Sequence, residues 1–377
     1  MGLSMDGPAA YLQGVIRQPD FILISVTESL ALKKVLLGAV LTTLSVACAP
    51  ERQVPHAPEV EFVCAVTIGD AMSAPLEFPV DAAWSERSNF VVVDQMAPAV
   101  HTFDSTGALV RTLGRKGRGP GELVRPWTVA VEPSTGTMAI VDEGRSRVLI
   151  WAPDGAELGT IQAQGLVART VSWLSPDTLY VLGIVSSGGP GAALRKVDVR
   201  TGSSTETVSE SGTFTSLLGG KSRTLCIGCP ADFDAKGNYA MAPSSADRYL
   251  VRILDAEGRA DGAIERDVAP LPYTEEQKEA LRRERDAMPA HLRPFMSSAE
   301  HKSVISALSY DDRGFLWVQT PDEDGSRLDV YSPDGAHHET VRIADPIRLL
   351  DARQNAILGL ATSSETDEML VRVYVRR

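Results

Sequence analysis

The chain has 377 residues, 44% of them hydrophobic and 23% charged, with a net charge of −12 at pH 7. This is a globular composition with enough apolar material for a large core or for several small ones. The negative balance disfavours nucleic-acid binding, which rests on Lys and Arg neutralising phosphate, and otherwise reads as an aid to solubility.

Lys33 and Lys34 precede an apolar run from Val35 to Leu44, followed by Ser45, Val46, Ala47 and Cys48. A positive segment, a short apolar segment and small residues before a cysteine form an export-signal pattern. The run is too short to span a bilayer comfortably. It resembles a bacterial lipoprotein signal, which implies cleavage before Cys48 and lipid on its sulfur. Ser45 departs from that pattern by standing where leucine is usual. Cleavage after Ala47 would instead release a soluble secreted protein. Ala49, in place of aspartate after the cysteine, resembles an outer-membrane-sorted lipoprotein. Residues 1–47 are thus read as a signal segment with an N-terminal extension, and 48–59 as a proline-containing tether. The expected location is an inner or outer bacterial membrane, facing the periplasm or cell surface. Residues 60–377 are expected to fold.

Between residues 60 and 377 a single kind of turn recurs. Gly107, Gly155, Gly202, Gly258 and Gly335 each close a short Asp- or Thr-containing turn after a β-rich run, 48, 47, 56 and 77 residues apart. The last gap holds a charged insert at 272–300, without which it returns to the common period. Four short strands every 40–50 residues predict an all-β, six-bladed β-propeller. The blades are expected at 78–114, 127–163, 169–209, 227–267, 304–343 and 347–376. The last has only three strands, and Val60–Ile68 has no blade of its own. An open ring would leave exposed edges, so Val60–Ile68 is predicted to be the outermost strand of blade six. Inside the insert, Thr274 and Gln277 have capping-box spacing, and a solvated helix is predicted over Glu275–Ala287.

The run from Gly114 to Glu122, ending Gly119-Pro120-Gly121-Glu122, resembles a family of bacterial six-bladed β-propellers, many of them lipoproteins and similar to NHL-repeat propellers. The resemblance spans about 60–377. It implies the architecture and no assigned biochemical activity.

The glycine-rich loop lacks the Gly-Lys-Ser/Thr ending of a P-loop and no helix follows it, so an inter-blade crossing is the simpler reading. Its Arg115 and Arg118, with Arg111, Lys116 and Arg125, form a basic patch suited to an anionic ligand group or an acidic partner segment. Glu122 is expected to pair with one of these arginines. Asp94 and Asp142, at the ends of second strands, read as turn-side aspartates bonding backbone N–H groups, or as ligand groups. Cys226-Ile-Gly-Cys229 lacks the helix of a redox motif and the further ligands of a zinc site. A local disulfide fits it best in an oxidising compartment. Cys64 reads as a buried free thiol. The six histidines form no spaced cluster, and no Gly-x-Ser-x-Gly elbow is present. No metal ligand set is assigned and no cofactor is expected. Calcium is the weak exception, through scattered candidates Asp81, Asp232, Asp234, Asp311 and Asp351. The expected function is a lipid-anchored binding or scaffold module for a small molecule, peptide or protein. The alternative is a metal-dependent hydrolase or lyase of the lactonase kind.

Overall fold

A computed structural model describes residues 57–69, 76–85, 89–163, 165–185, 191–211, 229–243, 245–287, 300–322, 325–366 and 368–377. The signal segment, Cys48 and Cys226 lie outside them. After an N-terminal strand β1 (Glu59–Ile68), antiparallel strands follow in groups of four. Blade one is β2 (Pro79–Trp84), β3 (Phe90–Asp94), β4 (Ala99–Phe103) and β5 (Leu109–Leu113). Blade two is β6 (Pro126–Val131), β7 (Met138–Asp142), β8 (Arg147–Trp151) and β9 (Glu157–Gln162). Blade three is β10 (Leu166–Ser175), β11 (Thr178–Val185), β12 (Gly191–Asp198) and β13 (Ser204–Ser211). Blade four is β14 (Ala231–Phe233), β15 (Tyr239–Met241), β16 (Arg248–Leu254) and β17 (Ala260–Asp267). Blade five is β18 (Ala307–Tyr310), β19 (Leu316–Pro321), β20 (Ser326–Tyr331) and β21 (His337–Ile343). Blade six has β22 (Arg348–Arg353), β23 (Ala356–Thr362) and β24 (Met369–Arg376), and β1 completes it.

Side-chain burial follows position in the blade. Every residue of β3, β7 and β8 is buried, because these strands are covered on both faces by neighbouring blades. The outer strand β5 is almost wholly exposed. Six apolar clusters lie between successive blades and close the ring, the last joining blade six to blade one through Ile68, Phe90, Phe103 and Leu358. The burial of β-branched and aromatic side chains drives this stacking.

The unpaired strand is placed as expected. β1 pairs antiparallel with β24, Phe62 opposite Arg376 and Ile68 opposite Val371. It also pairs in parallel with β21 of blade five, Glu59 opposite Thr340 and Phe62 opposite Ile343. The sequence did not reveal that second ladder, which fuses blades five and six into one eight-stranded sheet. A bulge between Cys64 and Val66 shifts the register of β1. Cys64 is free and exposed, not buried.

The alternation of four antiparallel strands fixes two ends of the ring. The first and third hairpin turns of every blade lie at one end, the turn end. Each connection to the next blade lies at the other, the crossing end. The recurring glycines sit at the turn end with positive φ, +84° at Gly107 and +79° at Gly258. At Gly107, Gly155 and Gly258 close packing requires glycine as well. A Cβ on Gly107 would meet Val66 Cγ1 at 2.5 Å, and one on Gly258 would overlap Val208 Cγ2. The turns of Gly107, Gly155 and Gly258 therefore nest against the outer strand of the preceding blade.

The helix α1 (Glu275–Ala287) has the predicted bounds and the predicted capping box. The Gln277 amide donates to Thr274 Oγ1 (3.2 Å), and the Thr274 amide donates to Gln277 Oε1 (3.1 Å). The glycine-rich loop, Cys229 and α1 all belong to blade-to-blade connections, so all three departures from the repeat occupy the crossing end.

Candidate functional site

The inner strands β2, β6, β10, β14, β18 and β22 wall an open central channel of about 1550 Å³. At the crossing end its mouth carries Phe78 and Trp127, 40% and 39% exposed. The Arg169 guanidinium lies over the Trp127 ring, 5.6 Å from its centroid, and is held by Glu143 at 2.5 Å.

At mid-depth three inner strands each contribute an aspartate: Asp81 from β2, Asp232 from β14 and Asp351 from β22. Each bonds an amide of an adjacent blade. Asp81 Oδ2 accepts from the Val129 amide (3.1 Å) and the Thr128 hydroxyl (2.5 Å). Asp232 Oδ2 accepts from the Tyr310 amide at 2.7 Å, and Asp351 Oδ2 from the Trp84 amide at 2.8 Å. All three are half-buried and line the channel. Loss of hydration deep in the ring pushes Asp81 above the usual carboxylate range. The same cause pushes Asp351 to about 7, the Asp81 charge adding to it. Asp232 also rises to about 7 by burial, with the charges of Asp351 and Asp81 adding. Arg348 and Arg353 act in the opposite sense on Asp81 and Asp351 respectively. These aspartates were among the scattered sequence candidates, but nothing in the sequence showed that they share one channel. Among the described residues, no three His, Cys, Asp or Glu side chains stand close enough to hold a metal ion. Asp234 and Asp311 instead brace turns, Asp234 accepting from the Asn238 amide (2.7 Å) and Asp311 from the Phe315 amide (2.9 Å).

Asp94 and Asp142 are turn-side aspartates bonding backbone N–H groups, as the first of their two readings expects, and full burial leaves them no surface for ligand contact. Asp94 accepts four backbone amides, from Glu77, Phe78, Met96 and Ala97. Asp142 accepts the Val124 and Arg125 amides and pairs with the buried Arg147 at 3.0 Å. They fasten the blade crossing to the end of the second strand, because a buried carboxylate requires that many donors.

The basic loop is equally self-contained. Glu122 pairs with Arg115 at 3.0 Å and accepts the Gly119 amide at 2.7 Å. These two donors, the amide first, hold its carboxyl below the usual range. A Cβ on Gly117 would overlap that carboxylate, which explains the glycine there. Leu123 follows as a fully buried plug between blades one and two. Arg125 pairs with Glu143 at 2.7 Å. The side chains of Arg115, Lys116, Arg118 and Arg125 remain exposed at the crossing end. Cys229 is disulfide-bonded, while Cys226 lies outside the described residues.

Residues 83–173 match the model of the DUF5128 family, described as a 6-bladed beta-propeller. This chain is a six-bladed β-propeller. The propeller is similar to a solved member of the DUF4221 family from Bacteroides vulgatus, with a TM-score of 0.53 at 9% identity, over 85% of this chain and 99% of that one. Regucalcin, a calcium-binding protein from Agrobacterium tumefaciens, gives 0.48 at 10% identity, over 84% of the propeller chain and 96% of its own. At such identities the likeness is one of fold alone. No curated protein matches the chain.

Proposed function

We propose that this propeller is an exported, lipid-anchored binding module. Cys48 carries the anchor, Cys226 and Cys229 form a local disulfide, and the central channel takes a small-molecule ligand through the crossing end. The observation that carries this reading is the channel. Its volume of about 1550 Å³ lies beyond the range of ordinary ligand pockets, and its wall mixes apolar surface with a few convergent polar groups.

Two measurements test the reading. Native mass spectrometry of the protein purified from a cell extract should show a small-molecule adduct that disappears in Ser172→Trp. Ser172 is half-buried between the buried Val171 and Trp173, on the channel wall. An adduct that survives this plug, or none at all, removes the channel reading. Cys48→Ser should move the protein from the membrane to the soluble fraction, and an unchanged distribution removes the anchor.

A further inference from the structure

We propose that the crossing end of blades one and two is a docking surface for a second protein. The part it takes is an acidic segment, a short extended run of Asp and Glu interspersed with apolar side chains. This surface lies outside the channel, and its use does not depend on a channel ligand.

Two independent features meet there. The first is apolar. Phe78, Met96 and Trp127 are exposed, Met96 the most open at 62%. Among the described residues they are the two exposed aromatic side chains and the one exposed methionine. The backbone holds them side by side. Asp94 Oδ1 accepts both the Phe78 and the Met96 amides, each at 3.1 Å, and Phe78 O accepts the Gln95 amide at 3.0 Å. Gln95 Nε2 then donates to Pro126 O at 3.3 Å, which ties this turn to the strand that begins Pro126-Trp127. The buried Asp94 thus builds an apolar centre above itself.

The second feature is electrostatic. Arg115, Lys116, Arg118 and Arg125 come from the glycine-rich loop, Arg145 from the turn between β7 and β8, and Arg169 from β10. Bonds between these elements gather them. Arg145 Nη1 donates to Arg118 O at 2.9 Å, Glu143 takes both Arg125 and Arg169, and Arg169 lies over Trp127. The carboxylates sit below the guanidiniums. Glu143 and Glu122 are 5% and 21% exposed, while their partners Arg125 and Arg115 are 55% and 78% exposed. The surface therefore shows its cations outward around the apolar centre. Arg111, counted with them in the sequence, lies apart and donates to Pro153 O at the turn end.

This pairing selects the partner. Aromatic, Met and Arg side chains are the residues enriched where proteins bind proteins. Guanidiniums around them take carboxylates in paired hydrogen bonds. The total charge of −12 does not oppose this, because at physiological ionic strength charges act over about 8 Å and the segment meets only the local patch. A bilayer is the less suited occupant, since β1 begins at the turn end and the N-terminal segment leaves the ring on the opposite side.

The test is fluorescence anisotropy of the purified protein with a labelled peptide of alternating glutamate and leucine, and with its glutamine counterpart, at about 150 mM salt. The acidic peptide should bind at least tenfold more tightly. Lys116→Glu combined with Arg118→Glu should weaken it at least tenfold, and Met96→Ser at least threefold. Arg200→Glu combined with Lys236→Glu makes the same change of charge at exposed turn-end positions and should leave the affinity within twofold. Ser172→Trp should leave it unchanged, so this surface and the channel reading fail separately.

Failure of the acidic peptide to bind, or equal binding of the glutamine peptide, would overturn the proposal. So would an equal loss in the crossing-end and turn-end charge variants, since the patch would then play no part. Tighter binding of heparin or of phosphatidylglycerol vesicles, abolished by Lys116→Glu with Arg118→Glu, would overturn the choice of a protein partner in favour of a glycan or a membrane.

Discussion

Asp232→Asn should stabilise the protein in a pH-dependent way. In the folded state burial holds this carboxyl at about 7, against 3.8 for the ordinary group. The folded protein therefore binds the proton more tightly than the unfolded chain does. Wild-type stability from this group is greatest below about pH 4 and is lost as pH rises towards 7. A shift of about three units at about 1.4 kcal/mol each sets a ceiling of about 4 kcal/mol. Water in the open channel and coupling to Asp351 and Asp81 reduce this to about 1–2 kcal/mol, roughly 2–3 °C in Tm for a domain of about 300 residues. Asparagine retains the acceptor for the Tyr310 amide and never ionises. The variant should equal wild type near pH 4 and exceed it by that amount at pH 8, measured by urea unfolding at both values. A difference independent of pH, or a loss of stability at pH 8, would refute the claim that Asp232 is ionised at a cost.

Other perturbations probe the frame around the channel. Phe62, 2% exposed in the strand shared by blades five and six, should cost about 3–5 kcal/mol when changed to alanine, seen as a lower urea midpoint. Asp329 is fully buried and pairs with Arg266 and Arg327, and Asp329→Ala should cost about 1–2 kcal/mol, because both guanidiniums stay over a third exposed and keep their water. Gly117→Ala should displace the Glu122 carboxylate and cost about 1 kcal/mol, with faster amide exchange at Gly119 as the local readout. Cys64 should react with a thiol reagent in the folded, unreduced protein, and a silent Cys64 would contradict its exposure.

The architecture was legible because the repeat states it locally. Positive-φ glycines, β-rich runs and a capping box are short-range signals, and blades, turns and α1 followed from them. The second ladder of β1 was not legible, since a parallel pairing between blades depends on how two finished sheets stack. Exposure of Cys64 was hidden as well, since Val63, Cys64 and Ala65 are all exposed where alternation would bury every second residue. The channel aspartates were visible as residues but not as a group. β14 is only three residues long, too short for alternation to reveal which side faces the axis. Asp94 and Asp142 show the opposite case. Their positions were conspicuous, and only burial separated a fastening from a binding group.

The placement of β1 in two blades has a mechanical consequence. Its N-terminal end leaves the ring at the turn end, along the direction of the strand. A pull applied there loads the ladders to β21 and β24 together and in shear, so many hydrogen bonds must yield at once. A terminal strand peeled sideways from a sheet edge would instead lose its bonds one by one. A chain tugged from its N-terminus is thus held by two blades at once.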